Sequence, residues 1–132
     1  MTAPLERQEG STLPALSAGT AGDQVVARAP FAGTVSAASF IPEAAITGDN
    51  TNTRTLTLQN RGQSGSATTS MGTIAFTTGN NAVQFDEKAF TLSGTPANLA
   101  VASGDIIAVV ETVAGTGLAN PGGRVEVTFS RS

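Results

Sequence analysis

Residues Arg54–Asn60, RTLTLQN, decide the fold class. Leu56 and Leu58 alternate with Thr55 and Thr57, a period of two that sets the leucines on one face of a strand and the threonines on the other. The same alternation recurs outward in both directions. Toward the C-terminus, MGTIAFTTGN sets Ile74 and Phe76 on one face, Gly79-Asn80-Asn81 turns the chain, and AVQFDEKAFTLSG carries on with Val83, Phe85, Phe90 and Leu92. GRVEVTFS then points Val125, Val127 and Phe129 inward. Toward the N-terminus, QVVARAPFAGTVSAASF aligns Val25, Ala27, Ala29, Phe31, Gly33 and Val35, with Pro30 marking an edge or a bend. GDIIAVVETV is apolar on both faces, as in a central strand covered on both sides, and contributes Ile106 and Val110 to the expected core. Short strands separated by Gly, Asn and Pro turns, with no sustained helical period, imply an all-β antiparallel sandwich or a jelly-roll-like closed barrel.

A chain of 132 residues is one domain by length. Residues 1–23 differ from the rest: they are rich in Ala, Gly, Pro, Ser and Thr, with isolated Leu5, Leu13 and Leu16 and no repeating period. The expectation is an extended, mobile N-terminal arm over 1–23 and a β-sandwich domain over 24–132. Fixing one residue costs about 1–2 kcal/mol of backbone entropy, and burying one leucine returns about 1.5–3. Three leucines therefore cannot order the whole arm. Any docking must be local, or must add backbone hydrogen bonds along a sheet edge.

Charged residues make up 13% of the chain, against roughly 25% in an ordinary soluble domain. Thr, Ser, Asn, Gln, Gly and Ala must cover the surface instead, or another protein must cover part of it. The net charge of −3, with a lone Lys88 and scattered arginines, argues against nucleic-acid binding. No apolar run approaches the roughly 20 residues of a membrane-spanning helix, the longest being IIAVV at Ile106–Val110, so no membrane partner is expected. The N-terminal residues show no basic region followed by an apolar core, and synthesis in the cytoplasm is the expectation.

The absences bear on chemistry. With no His and no Cys the chain offers no ordinary zinc site, no Ser-His or Cys-His pair and no imidazole base. With no Trp and no Tyr it lacks the usual stacking platforms for sugars and bases. The expectation is a protein that is not an enzyme and that holds no cofactor, metal or catalytic residue.

Four stretches invite a functional reading nonetheless. ITGDNTNTRTLTLQNRGQSGS, Ile46–Ser66, offers oxygens at Asp49, Asn50 and Asn52, but calcium-loop spacing would put ligands at Thr51 and Thr53, and Asx turns explain the composition better. Asp86 and Glu87 are adjacent, so on a strand they point to opposite faces and cannot flank one bond; they read as a solvated turn before Lys88. Gly104-Asp105 is a turn feeding a core strand. GTGLANPGGRVEV leads into a strand rather than a helix, which makes it a long, exposed hairpin connection rather than a phosphate loop. What remains as candidate protein-interface residues is Leu5, Leu13 and Leu16 in the arm, with Arg54 and Arg61 at the two ends of the RTLTLQN strand. Each arginine is suited to a carboxylate on a neighbouring subunit.

The order FAGTVSAASFIPEAAITG, then NTNTRTLTLQNRGQSG, then VASGDIIAVVETVAGTGLANPGGRVEV resembles the small capsid decoration (cement) or head-fibre-like proteins of tailed bacteriophages, particularly those of actinobacteria. The resemblance covers Val25 to Phe129 and rests on turns and strands. It implies a structural virion protein, often a homotrimer, that sits on the capsid exterior and holds neighbouring major capsid subunits together; no catalytic or metal residue comes with it. The alternative is a carbohydrate- or receptor-binding β-domain of a phage fibre or bacterial surface protein, which the missing Trp and Tyr disfavour.

Overall fold

Alternating apolar residues make strands, and strands with one apolar face stack in pairs. In the computed structural model, which describes residues 5–131, the strands are β1 (Glu6–Leu13), β2 (Gly22–Arg28), β3 (Gly33–Pro42), β4 (Thr53–Asn60), β5 (Thr69–Ala75), β6 (Lys88–Ala89), β7 (Thr91–Leu92), β8 (Ala100–Val101), β9 (Ile106–Ala114) and β10 (Gly123–Arg131). One sheet runs β1-β10-β3-β6, with β8 also on β3; the other runs β2-β9-β4-β5-β7. Every pairing is antiparallel. This is the expected all-β sandwich.

The two last long strands lie inside the sheets they join. β10 pairs with both β1 and β3, and β9 with both β2 and β4. Val35, Phe40, Val125, Val127 and Phe129 fill the core from one sheet, and Leu56, Leu58, Met71, Ile74, Ile107 and Val109 from the other. Each such side chain contributes about 1.5–3 kcal/mol by leaving water. β4 alternates as its sequence implies, with Leu56 and Leu58 buried and Thr55 and Thr57 half-buried.

Several expectations are corrected. Residues 1–4 of the expected arm lie outside the described residues, but from Glu6 the segment is extended inside the sheet rather than free of it: Glu6 to Leu13 pair in unbroken register with Ser130 back to Gly123. The entropy that three leucines could not offset is met by this ladder of backbone hydrogen bonds plus one fully inserted side chain, Leu13 at 1% exposure. The sandwich therefore begins near Glu6 and not at residue 24. Val25, expected inside, is exposed, because a register shift between Val25 and Ala27 makes Val26 the extra residue and turns both Val26 and Ala27 inward. Phe85 and Val83 are exposed too, since the segment between Asn81 and Lys88 is a loop and not a strand. Ile106 and Val110 are half-buried on the outer side of β9, opposite Ile107, Val109 and Glu111. The loop of residues 115–122 is no hairpin: it carries the chain from one sheet to the other, and Gly117, Asn120 and Gly122 are buried. Gly117 has φ +73, and a Cβ there would overlap the Ala18 carbonyl oxygen, so only glycine fits.

The seating of β1 predicts how the N-terminal leucines differ. Leu13→Ala should lower the unfolding free energy by about 2–5 kcal/mol, the range for deleting a buried leucine side chain, while Leu5→Ala should stay within about 0.5. Urea titrations followed by circular dichroism measure both, and equal effects would contradict a seated β1.

Candidate functional site

The largest buried polar group sits where the sequence reading put an exposed contact residue. Arg54 is 0% exposed and points inward with Leu56 and Leu58, two and four residues on. Its Nη1 donates to Glu111 Oε1 at 3.0 Å, an ion pair shut inside the sandwich. Its Nε donates to the Leu118 carbonyl at 2.6 Å, and its Nη2 to the carbonyls of Ser17 and Thr20 at 3.0 and 2.9 Å. Asn120, 1% exposed, donates from Nδ2 to the same Glu111 oxygen at 2.7 Å and accepts from the Gly122 N–H at 2.8 Å. Leu16 and Asn120 exchange backbone hydrogen bonds at 2.9 Å in both directions, so Leu16 also serves its own domain. Two crossover loops and two strands thus meet on one guanidinium. The expected role of Arg54 toward a neighbouring subunit is corrected: burial and a full set of internal acceptors make it structural.

The alternation carries half of this. Arg54 shares the face of Leu56 and Leu58, so its inward direction is legible, whereas Glu111 lies on a strand apolar on both faces, where the expected core of Ile106 and Val110 sets it outward.

The polar loop of Ile46–Ser66 is similarly occupied. Asp49 Oδ1 accepts the N–H groups of Thr51 and Asn52, both at 2.7 Å. Asn50 Oδ1 accepts from Thr78 N–H, and Asn52 Oδ1 from Thr116 N–H. These side chains tie three loops together. The donors from Asn52 and Thr51 hold the Asp49 carboxyl below its ordinary value.

At the opposite end of β4, Asp105 closes a second network. Burial acts to raise its pKa, but the Ala102 N–H at 2.9 Å, Asn60 Nδ2 at 3.0 Å and Gln63 Nε2 at 3.4 Å more than offset this and leave it lowered. Among the described residues no three acidic side chains converge on one point. Lys88 Nζ donates to Asn80 Oδ1 at 2.7 Å, and Asp86 and Glu87 stand exposed beside it.

With the charged interior structural, the outer surfaces remain. On the β2-β9-β4-β5-β7 sheet the register aligns Asp23, Val110, Thr57, Thr73 and Thr91 in one row, and Thr112, Thr55 and Ala75 in the next. Only Asp23, at the β2 edge, is charged in these rows. The opposite sheet carries Glu6, Arg7, Glu9, Arg124, Glu126 and Arg131 on its β1 and β10 strands. A pocket of about 250 Å³ opens at the β2-β9 side of the neutral sheet, lined by Asp23, Gln24, Val25, Arg61, Gly65, Ile106 and Ala108. Arg61, half-buried there, donates to the Gly65 carbonyl and to Gln59 Oε1.

Phe85 is the other outlying feature. It is 69% exposed and its φ is +61°, the only positive φ at a non-glycine residue among those described. For a bulky side chain that conformation costs about 1–3 kcal/mol. Backbone and side-chain bonds hold it: the Phe85 N–H donates to the Pro42 carbonyl, Gln84 Nε2 to the Glu43 carbonyl, and the Asp86 N–H to the Val83 carbonyl.

No family model matches the sequence, and no curated protein matches it. Among solved structures, a chain described under the heading "Bacillus endospore appendages form a novel family of disulfide-linked pili" aligns with 99% of this chain and 93% of its own length, at 14% identity and a TM-score of 0.42. At that level the likeness carries no argument about this chain.

Two predictions follow from the networks. Arg54→Met should destabilise by about 3–5 kcal/mol, since it leaves a buried carboxylate unpaired. Arg54→Met combined with Glu111→Leu should regain only part of this, because the carbonyls of Ser17, Thr20 and Leu118 still lack their donor; a double-mutant cycle in urea separates the terms. Asp105 predicts an acid dependence. A carboxyl with a lowered folded pKa stabilises above its unfolded value, near pH 4, and loses that stabilisation as pH falls through the folded value. The unfolding free energy of Asp105→Asn should therefore vary less than wild type below about pH 4, and an unchanged slope would remove Asp105 from the acid response.

Proposed function

We propose that the protein is a structural component of a phage virion, a decoration protein that binds the capsid exterior and bridges neighbouring major capsid subunits, acting as an oligomer and most simply as a trimer. One observation carries the reading. The outer face of the β2-β9-β4-β5-β7 sheet is laid with half-buried and exposed threonines around half-buried Val110, its charges (Asp23, Arg28 and Arg61) gathered at the β2 side, whereas on the opposite sheet Arg124 and Glu126 stand on the interior strand β10.

A face of small hydroxyl side chains is inexpensive to desolvate compared with a charged one. A standard contact of roughly 1,600 Å² suffices for stable association, and several contacts per oligomer raise occupancy through effective concentration. The resemblance in strand and turn order points the same way. The mode of attachment differs from an arm reaching across the lattice: β1 belongs to the sheet, which leaves Leu5, about half exposed, as the described leucine of that segment still available to a neighbour.

The test is addition of purified protein to phage heads lacking it, mature and immature, with imaging of the added density. Thr57→Lys on the neutral face should lower occupancy about tenfold or more, while Glu126→Lys on the charged face should leave it near wild type; both variants should unfold at the wild-type temperature. Equal occupancy for the two would sink the assignment of this face. Failure to bind either kind of head, with strong competable binding on a glycan array, would replace capsid binding with sugar recognition.

A further inference from the structure

We propose that Phe85 of one copy seats in the Val25–Ile106–Ala108 pocket of a second copy, forming a head-to-tail contact. Two independent observations meet in it. The first is an aromatic ring presented to solvent: Phe85 and Val83 are 69% and 64% exposed on one loop, and the loop is fastened to the end of β3 by the Phe85 N–H to Pro42 bond. The second is a pocket of about 250 Å³ with apolar walls on the outer face of the other sheet. An engineered apolar cavity of roughly 150 Å³ accepts benzene, so a phenyl ring fits with room for part of its loop.

Charge selects a second copy as the occupant. Asp86 and Glu87 follow the ring directly, and the pocket carries Arg61 on its wall. Asp23 on the same wall faces the opposite way in sign, and Lys88 comes next after the acidic pair. The knob reads ring, acid, acid, base; the pocket offers an apolar wall, one arginine for the acids and one aspartate for the base. Arg61 beside the pocket also places a guanidinium within reach of an inserted ring face, a favourable cation–π arrangement.

The ring stands on a loop fastened to the end of β3 and the pocket lies on the outer face of the other sheet, so each copy gives its knob in one direction and its pocket in another. Such a contact is heterologous: it closes into a ring when the rotation allows and otherwise continues as a chain of copies. One aromatic ring is a small contact. It holds free copies together weakly and strongly only where they are already side by side.

The contact concerns two copies of this chain alone, and its test needs no capsid, so its failure leaves the decoration reading to the occupancy experiment. Sedimentation velocity on the full chain, from micromolar to millimolar concentration, should show wild type growing beyond dimer or closing at a ring. Phe85→Ser lacks the knob and Val25→Glu fills the pocket with charge; each alone should remain monomeric. Mixed in equal amounts, they should stop at dimer, because the pair retains one knob and one pocket. Ile106→Thr provides a second pocket variant, and circular dichroism melts confirm folding of each. Monomeric wild type at millimolar concentration, assembly retained by Phe85→Ser, or a mixture that grows as far as wild type would each overturn the proposal.

Discussion

The Arg54 guanidinium is the constraint on which the sandwich depends. A single planar group donates to a carboxylate on β9 and to carbonyls in the two crossover loops, at Ser17, Thr20 and Leu118. Arginine suits this because its donors form a fixed fork and stay charged at any pH the protein meets. A buried ion pair is weak evidence for stability, since desolvation opposes the Coulomb gain. Its value here is one of place. Without Arg54 the β1-β2 and β9-β10 loops would keep only the Leu16–Asn120 backbone pair between them and lose the side chain that binds both loops to β4 and β9. No buried side-chain nitrogen or oxygen among the described residues lacks a hydrogen-bond partner, which is what a specifying network requires.

That network joins segments far apart in sequence, and the topology repeats the theme. β10 completes the sheet that β1 and β3 begin, and β9 completes the sheet of β2 and β4. Until the final strands are in place, β1 and β3 have no common neighbour and β2 is unpaired. Non-local pairing of this kind makes for slow folding, because loop closure must precede the contacts that reward it. It also explains why the edge strand β1 carries Glu6, Arg7 and Glu9: until and after it docks, charges along an edge discourage pairing with another chain.

The parts of the fold legible in the sequence were those with a local cause. Leu56 and Leu58, Ile74, Val125, Val127 and Phe129 obey period two and are buried as that period requires. β1 was not legible, because ERQEGSTL has no apolar alternation; only Leu13 inserts, and the rest of its order comes from a ladder to a strand more than a hundred residues away. The loop of residues 115–122 differs from its expected hairpin for the same reason, its path being set by bonds to Arg54 and Glu111 together with its glycines at positive φ. Arg54 itself was legible by parity but was read by residue type, an instance where burial of a charge depends on a partner that no single strand reveals. Of the candidate surface, the threonine face followed directly from Thr55 and Thr57, whereas the pocket needed a bulge at Val26 that no residue type announces.

Val25 and Phe85 are where local consistency breaks in a revealing way. Both are apolar, both lie in alternating sequence and both stand outside, one turned out by a register shift and the other held at a positive φ that glycine would adopt without cost. Neither exposure helps the fold: the bulge leaves a valine in water, and the loop maintains a strained phenylalanine with three hydrogen bonds. Departures of this kind, unfavourable locally and sustained by their surroundings, belong to sites that act on something else. That the outward valine lines the pocket and the outward phenylalanine is the exposed ring makes one account of both. Each is unfavourable in an isolated chain, and the proposed contact between copies would cover both at once, turning two local costs into one buried apolar contact.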